Sequence, residues 1–342
     1  MPAANIGDDE GIASSFEGDS VPIITSPQEF NVDDLYVDLR HVIDRPLYLK
    51  CEGFNFAGSV KLKAAAAMVE AAEAEGALTP DSVIVESSSG NLGIALSLIA
   101  ASRGLKFVCV TDPRCNPASM RVMRALGAEV RVVSDKDDNG GYLGGRIAHV
   151  RELCESGRQY VWLNQYANRN NWLAHYRGTA PSIDREFPDL EVLFVGAGTT
   201  GTLMGCARYF RERNRPVTIV AVDAVGSVTF GGIPERRMVP GLGTSSKPDL
   251  VDESLVDDVV HVAEPDTIRT VRALSSRGFL FGGSTGTVVS GACRWLEAKY
   301  PGEDPVAVAI APDLGERYLD SIYEESWVRE HFGELPPDIL DH

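Results

Sequence analysis

The chain is predicted to be an α/β protein built on parallel sheets. Three observations carry this: short apolar runs bounded by Gly, Asp or Pro recur, segments of helical periodicity lie between them, and two strand-to-helix turns are crowded with glycine and hydroxyl residues. The runs Leu47–Cys51, Val83–Glu86, Phe107–Val110, Val130–Val133, Val192–Val195, Ile219–Val222 and Val306–Ile310 read as buried strands. Helices are expected at 61–75, 91–102, 117–126, 142–155, 201–213, 265–276 and 285–299, so the two element types alternate. No internal repeat interrupts the pattern. With 342 residues, 44% of them hydrophobic, the chain can fill a sizeable core divided between two lobes.

Charge narrows the partners. A formal net charge of -17 repels phosphate backbones and anionic lipid, which argues against nucleic acid or a membrane surface, so any anionic ligand must be held locally. Cys51, Cys109, Cys115, Cys154, Cys206 and Cys293 show no C-x-x-C spacing and no Cys/His cluster. That suits a reducing compartment and gives no metal site. The first residues have neither a basic region nor an apolar one, and no run reaches transmembrane length, so a cytoplasmic protein is expected. Residues 1–22, acidic and polar, and 333–342 read as tails without chemistry.

Several turns bear chemistry. Ser87 to Gly93, between an apolar run and a helix, gathers hydroxyls, Asn91 and free backbone N–H groups where the helix dipole favours an anion such as a carboxylate; an ordinary capped turn is the alternative. Gly58-Ser-Val-Lys61 delivers Lys61 to the first turn of a helix, where its charge opposes the dipole, so a buried amine able to form a Schiff base is one reading. Lys63, by contrast, reads as a solvated surface charge. Trp162 to Asn168 is dense in amides that either close a pocket or cap a loop. Gly196 to Thr202, with Gly198, Thr199, Thr200, Gly201 and Thr202 at a helix start, reads as a phosphate cup. It also satisfies G-x-G-x-x-G, with Asp223 ending the next strand, so a nicotinamide dehydrogenase is the rival on local pattern. In Phe281 to Thr287, Ser284 is placed either to meet a ring nitrogen or to cap a helix.

Taken in order, Gly58–Lys61, Ser88–Asn91, Gly198–Thr202 and Gly283–Ser284 resemble the fold-type II pyridoxal-phosphate family of cysteine synthase and cystathionine β-synthase, from about Leu47 to Asp320. The resemblance implies two lobes, each an open, twisted, mostly parallel sheet flanked by helices. Residues 23–53 plus 169–332 would form the large cofactor-binding lobe and 54–168 a small mobile lobe. It implies Lys61 as the Schiff-base lysine, Asn91 beside the cofactor's 3-hydroxyl, Ser284 on its pyridine nitrogen, and Gly198 to Thr202 around its phosphate. Ser88, Ser89, Asn91 and Gln165 would hold the substrate α-carboxylate, and a homodimer is implied as well. Leu62-Lys63 stands where the wider family has Asp-Arg, Leu92 where a Thr is common, and Thr200 where the cup has a Gly.

A narrower set, Glu86–Leu96, Gly140–Ala148, Asn164–Asn168, Gly226–Gly231 and Pro312–Asp320, is similar to N-(2-amino-2-carboxyethyl)-L-glutamate synthases. That branch implies β-replacement of O-phospho-L-serine by L-glutamate, toward 2,3-diaminopropionate for siderophores or peptide antibiotics. Glutamate brings two carboxylates, so a positioned cation is expected, with Arg146 and Tyr166 the candidates and a surface acid the alternative partner for Arg146. Arg236 or Arg237 would meet the leaving phosphate. The alternatives are a cysteine synthase using O-phosphoserine or O-acetylserine with sulfide, and a non-catalytic binding module.

Overall fold

The computed structural model describes residues 23–43, 45–136 and 141–335. The expected tail at 1–22, residues 336–342 of the other tail, and Gly140 of the narrower motif set lie outside the described residues. The strands are β1 (Tyr36–Asp38), β2 (Leu47–Cys51), β3 (Val83–Ser87), β4 (Lys106–Thr111), β5 (Glu129–Val132), β6 (Tyr160–Trp162), β7 (Val192–Gly196), β8 (Thr218–Ala224), β9 (Asp258–Val262) and β10 (Ala307–Ala311). The helices are α1 (Arg40–Ile43), α2 (Lys61–Ala74), α3 (Asn91–Arg103), α4 (Pro117–Ala125), α5 (Leu143–Ser156), α6 (Arg169–Arg177), α7 (Thr179–Glu186), α8 (Gly201–Glu212), α9 (Glu264–Ser276), α10 (Gly283–Lys299) and α11 (Glu325–Phe332).

Two sheets result. The larger has the order β1-β2-β10-β7-β8-β9 and is parallel apart from β1, which runs antiparallel to β2. The smaller, β5-β4-β3-β6, is parallel throughout. Strands buried on both faces need apolar side chains in both directions, and the near-continuous Val/Ile/Leu runs supply them. In the larger sheet Phe194 and Val222 pack toward Val288 and Trp295 of α10, while Leu193 and Ile219 pack toward Leu203 and Phe210 of α8. In the smaller, Ile84 and Phe107 meet Met68 of α2 and Ile99 of α3, and Val85 and Val108 meet Val150 of α5. The turns β3–α3 and β7–α8 leave the carboxyl ends of parallel strands, where such sheets bind ligands.

Each predicted strand and helix is present within two residues of its expected ends. The pattern did not disclose β1 and β6, three residues each and only half buried, nor β9, which carries Asp258 and His261 on a sheet edge. It also missed α1, α11, the Asn-rich α6 and the Pro181-containing α7, whose polar residues mask their apolar spacing.

Candidate active site

Lys61 reaches the cleft because the preceding turn is pinned on several sides. The Asn55 amide donates to Glu52 O at 3.1 Å and Ser59 O at 3.0 Å, and its carbonyl accepts from Ala57 N at 3.0 Å. Gly58 has φ +63, and Arg317 Nη2 donates to Ala57 O and Gly58 O at 2.8 Å each. Any side chain at 58 would be strained and would meet that guanidinium. Lys61 then opens α2 with no side-chain cap ahead of it, and its Nζ lies 3.4 Å from Thr199 Oγ1. Burial pushes the amine down to about 8, since no carboxylate compensates it.

The β3–α3 turn is built around Ser88. Its Oγ accepts from Gly93 N at 2.9 Å and Gly90 N at 3.3 Å, so the turn is capped from within and the hydroxyl keeps only its proton for a ligand. Ser89 and Asn91 line the cleft beside it. Asn91 Nδ2 donates to Asp313 Oδ2 at 3.1 Å; Asp313 also accepts from the Tyr318 hydroxyl, and burial raises its carboxyl above the usual range. Gln165 donates from Nε2 to Ser87 O at 2.8 Å, so in this arrangement its amide protons brace the turn and its side-chain carbonyl is what remains for a ligand.

Glu86 locks this wall together. Its Oε1 accepts from Ser87 N at 2.8 Å and Trp162 Nε1 at 3.1 Å, and its Oε2 accepts from Gln165 N at 3.1 Å. Burial nonetheless pushes the carboxyl up to about 7, above an unfolded value of about 4.3. A carboxyl raised in this way binds its proton more tightly when folded. Its stabilising contribution is therefore complete below about pH 4.3 and is lost as pH rises through 7, an effect on the order of 3 kcal/mol. Glu86→Gln should remove the dependence: measured by urea unfolding from pH 5 to 8, the variant gains on the wild type as pH rises. A constant difference across that range would refute the assignment.

The β7–α8 turn forms the cup. Among the described residues, no backbone or side-chain acceptor takes the N–H groups of Gly198, Thr199, Thr200, Gly201 or Thr202. Five donors without partners thus belong to residues that line one hollow at a helix N-terminus. Thr200 sits at φ +64, in the left-handed region, which explains why a glycine suits this position and leaves a β-branched residue strained by about 1–2 kcal/mol. Its Oγ1 is buried without a partner. Asn171 closes the back: Nδ2 donates to Gln165 O at 2.7 Å and Thr199 Oγ1 at 3.0 Å, while its Oδ1 lies so close to Gly201 that a Cβ there would overlap it. Ser284, buried at the start of α10, lines the same hollow, and its hydroxyl makes no hydrogen bond among the described residues. Gly241, at φ +116, passes so near that its Cβ would overlap Ser284 Oγ.

The cleft, of about 340 Å³, extends outward between the lobes. Arg146 forms part of its wall and is 7% exposed. Its Nη1 lies 3.3 Å from Asp112 Oδ2, but off the hydrogen-bonding direction, so among the described residues Nε and Nη1 are buried without hydrogen-bond acceptors. The acid facing Arg146 is thus a buried one and not the surface partner considered as an alternative. Tyr166 lines the same wall, and burial raises its hydroxyl while Arg146 draws it down. Of the two consecutive arginines, Arg236 is exposed on the cleft without hydrogen bond or ion pair among the described residues, whereas Arg237 donates to Gly226 O.

Lys63 corrects its sequence reading. It is not solvated: its side chain is 10% exposed and pairs with Asp33 and with Glu52 Oε2 at 2.8 Å. Burial alone would lower its charged state, and the two carboxylates more than offset that. Glu86, Asn171 and Asp313 were missed as site residues. A signal existed: a Glu ending an otherwise apolar strand, and Asn171, His175 and Thr179 spaced four apart, mark polar groups turned inward.

Comparisons with known proteins place the chain. A family model described as pyridoxal-phosphate dependent enzyme matches residues 37–313. A relative in Cupriavidus metallidurans named N-(2-amino-2-carboxyethyl)-L-glutamate synthase is 40% identical over 298 residues, 85% of this chain and 87% of that protein. One of the same name in Ralstonia nicotianae is 41% identical over 285 residues, 82% and 83%. Among solved structures, O-ureido-L-serine synthase superposes with a TM-score of 0.80 at 31% identity, covering 92% of this chain and 97% of that one. The O-acetylserine dependent cystathionine beta-synthase from Helicobacter pylori gives 0.80 at 28%, covering 89% and 100%. The dehydrogenase reading is overturned. Asp223, its supposed ribose ligand, is fully buried and accepts from Ala224 N at 2.8 Å. The site suits pyridoxal phosphate: among the described residues it offers five unpartnered N–H groups for a dianion, a desolvated amine beside them, and an unengaged hydroxyl lining the same hollow.

Proposed function

Because the chain belongs to the pyridoxal-phosphate dependent enzyme family, we propose that it joins O-phospho-L-serine to the α-amine of L-glutamate, forming N-(2-amino-2-carboxyethyl)-L-glutamate and phosphate. The two relatives that bear this synthase name support the reading. What favours glutamate over sulfide is Arg146, a buried guanidinium on the cleft wall that lies beside Asp112 yet whose Nε and Nη1 make no hydrogen bond among the described residues. Such a group is costly to bury unless a ligand completes it, and a planar carboxylate matches its fork.

When bound, the cofactor supplies an electron sink that lets a Cα proton leave. Gly198 to Thr202 would hold its phosphate, and Ser284 would meet its ring nitrogen without charging it. The Ser88 and Ser89 hydroxyls and Asn91 fix the α-carboxylate of phosphoserine, with Gln165 and Glu86 bracing their turn. Lys61, which would hold the cofactor at rest, would take the Cα proton as a neutral amine and later return it to the same carbon; its buried surroundings favour that neutral form. The Cβ–O bond breaks and the Cβ–N bond to glutamate forms, and the proton shed by glutamate's ammonium balances the one taken up by phosphate. Arg146 and Tyr166 hold glutamate, and Arg236 meets the departing phosphate at the cleft mouth. The lobe of residues 54–168 closes on substrate through the Ser87–Asn91 turn, excluding water. We place the enzyme as a cytoplasmic homodimer making a 2,3-diaminopropionate precursor for a siderophore or peptide antibiotic.

The test is to supply phosphoserine with a pool of all twenty amino acids, and separately with sulfide, and to weigh the products by mass spectrometry. Glutamate should be the amino acid consumed. Cysteine from sulfide as the sole product would make this a cysteine synthase, and no product from either would leave a binding module.

A further inference from the structure

Behind the cup lies a row of polar side chains that the reaction leaves unused. Lys63 Nζ donates to Glu52 Oε1 at 3.0 Å, to the Asp33 carboxylate and to Thr179 Oγ1 at 3.2 Å. Thr179 Oγ1 lies 3.0 Å from His175 Nδ1, and His175 Nε2 lies 3.3 Å from Thr202 Oγ1, the last hydroxyl of the cup. Lys63, His175 and Thr179 are all buried or nearly so.

We propose that Lys63, Thr179 and His175 form a hydrogen-bond relay of fixed direction that makes the Thr202 hydroxyl a donor to the cofactor's phosphate. The direction follows from donor counting. An ammonium has three protons and no lone pair, and Lys63 has three acceptors, so it donates to Thr179. Thr179 Oγ1 then has its own proton left to give, and the ring nitrogen beside it is the available acceptor. A neutral imidazole that accepts at Nδ1 carries its proton on Nε2, which points at Thr202 Oγ1. With that oxygen already accepting, the Thr202 proton is freed toward the hollow. Burial, with Lys63, Lys61 and Lys50 adding to it, holds His175 well below its ordinary value, which keeps the ring neutral. In the reverse polarity Thr179 Oγ1 would accept twice, from Lys63 and from the ring, and its own buried proton would be left without an acceptor among the described residues. The relay thus couples a charged cluster to the phosphate site without placing a second cation there. The proposal rests on the phosphate occupying the cup and not on which nucleophile the enzyme uses, so it and the glutamate assignment fail separately.

The experiment titrates the apoenzyme with pyridoxal phosphate and, separately, with pyridoxal, which lacks the phosphate. In His175→Leu and Lys63→Met, the Kd for pyridoxal phosphate should rise about tenfold while that for pyridoxal stays within about twofold. His175→Gln, which can still donate near the Nε2 position, and Lys63→Arg should stay within about threefold of wild type. The combined His175→Leu/Lys63→Met protein should be no weaker than the poorer single variant, because one chain is broken once. Equal losses for both ligands would show that the row only supports the fold, and no loss in His175→Leu would show that Thr202 is not a donor to the phosphate. Should Lys63→Met fail to fold with Glu52 left to Lys50 alone, the His175 pair decides alone, read also by the phosphorus resonance of the bound cofactor. That resonance should move in His175→Leu and return toward wild type in His175→Gln.

Discussion

Lys61→Ala should lower turnover by about four orders of magnitude or more, because in the proposed reaction one side chain both carries the cofactor and moves the Cα proton. The variant should still take up pyridoxal phosphate, since the donors of Gly198 to Thr202 are untouched. Borohydride reduction of the wild type should fix the pyridoxyl group on residue 61 by peptide mapping, and the same treatment of the variant should leave no label on α2. A label on another amine, or retained turnover, would sink the assignment. The amine also has a thermodynamic signature. Its folded value of about 8 lies below an unfolded value of about 10.4, so the folded chain releases this proton more readily. Its destabilising effect is fully present below about pH 8 and fades as pH rises through the unfolded value. At neutral pH the apo form of Lys61→Met should therefore unfold later than wild-type apoprotein, by up to about 3 kcal/mol and less where water reaches the amine. A gain in stability together with loss of activity is what a functional, poorly compensated charge produces.

The residues that line the cleft and its hollow were legible because each sits in a turn whose composition has a local cause. Lys61 at a helix start stands where a structural sequence would choose otherwise, and the hydroxyls of Ser87 to Ser89 and the threonines of the cup crowd two helix N-termini that follow apolar strands. The second layer was not legible, because its members are far apart in sequence and meet only through topology. Asp313 follows β10 yet receives the Asn91 amide from α3, and Lys63 on α2 finds Glu52 after β2 and Thr179 on α7. Reading Lys63 from exposure statistics failed for that reason: nothing adjacent in sequence says that two carboxylates await it. The glycines of the second layer are similar. That Gly201 and Gly241 must lack side chains follows from Asn171 and Ser284, neither of which is a sequence neighbour.

Arg146 offers the sharpest separation between the two half-reactions. Arg146→Met should lower kcat/KM for glutamate by about a hundredfold to a thousandfold, the effect of losing a desolvated, charge-assisted pair, with the rise falling mainly in the KM for glutamate. Phosphate release from phosphoserine in the absence of glutamate should stay within about threefold of wild type, because Lys61 and the Ser88–Asn91 turn are unchanged. Arg146→Lys keeps the charge but not the planar fork and should fall between the two. A rival cause must be separated: Asp112, 3.3 Å away, is left without its cation in Arg146→Met and could by itself repel a dianionic substrate. The double variant Arg146→Met/Asp112→Asn removes that charge. If the guanidinium binds glutamate, the double variant stays nearly as poor as the single one; if repulsion was the cause, glutamate use returns. A nucleophile without a carboxylate, such as sulfide, should react equally well with all three variants, since it asks nothing of this part of the cleft.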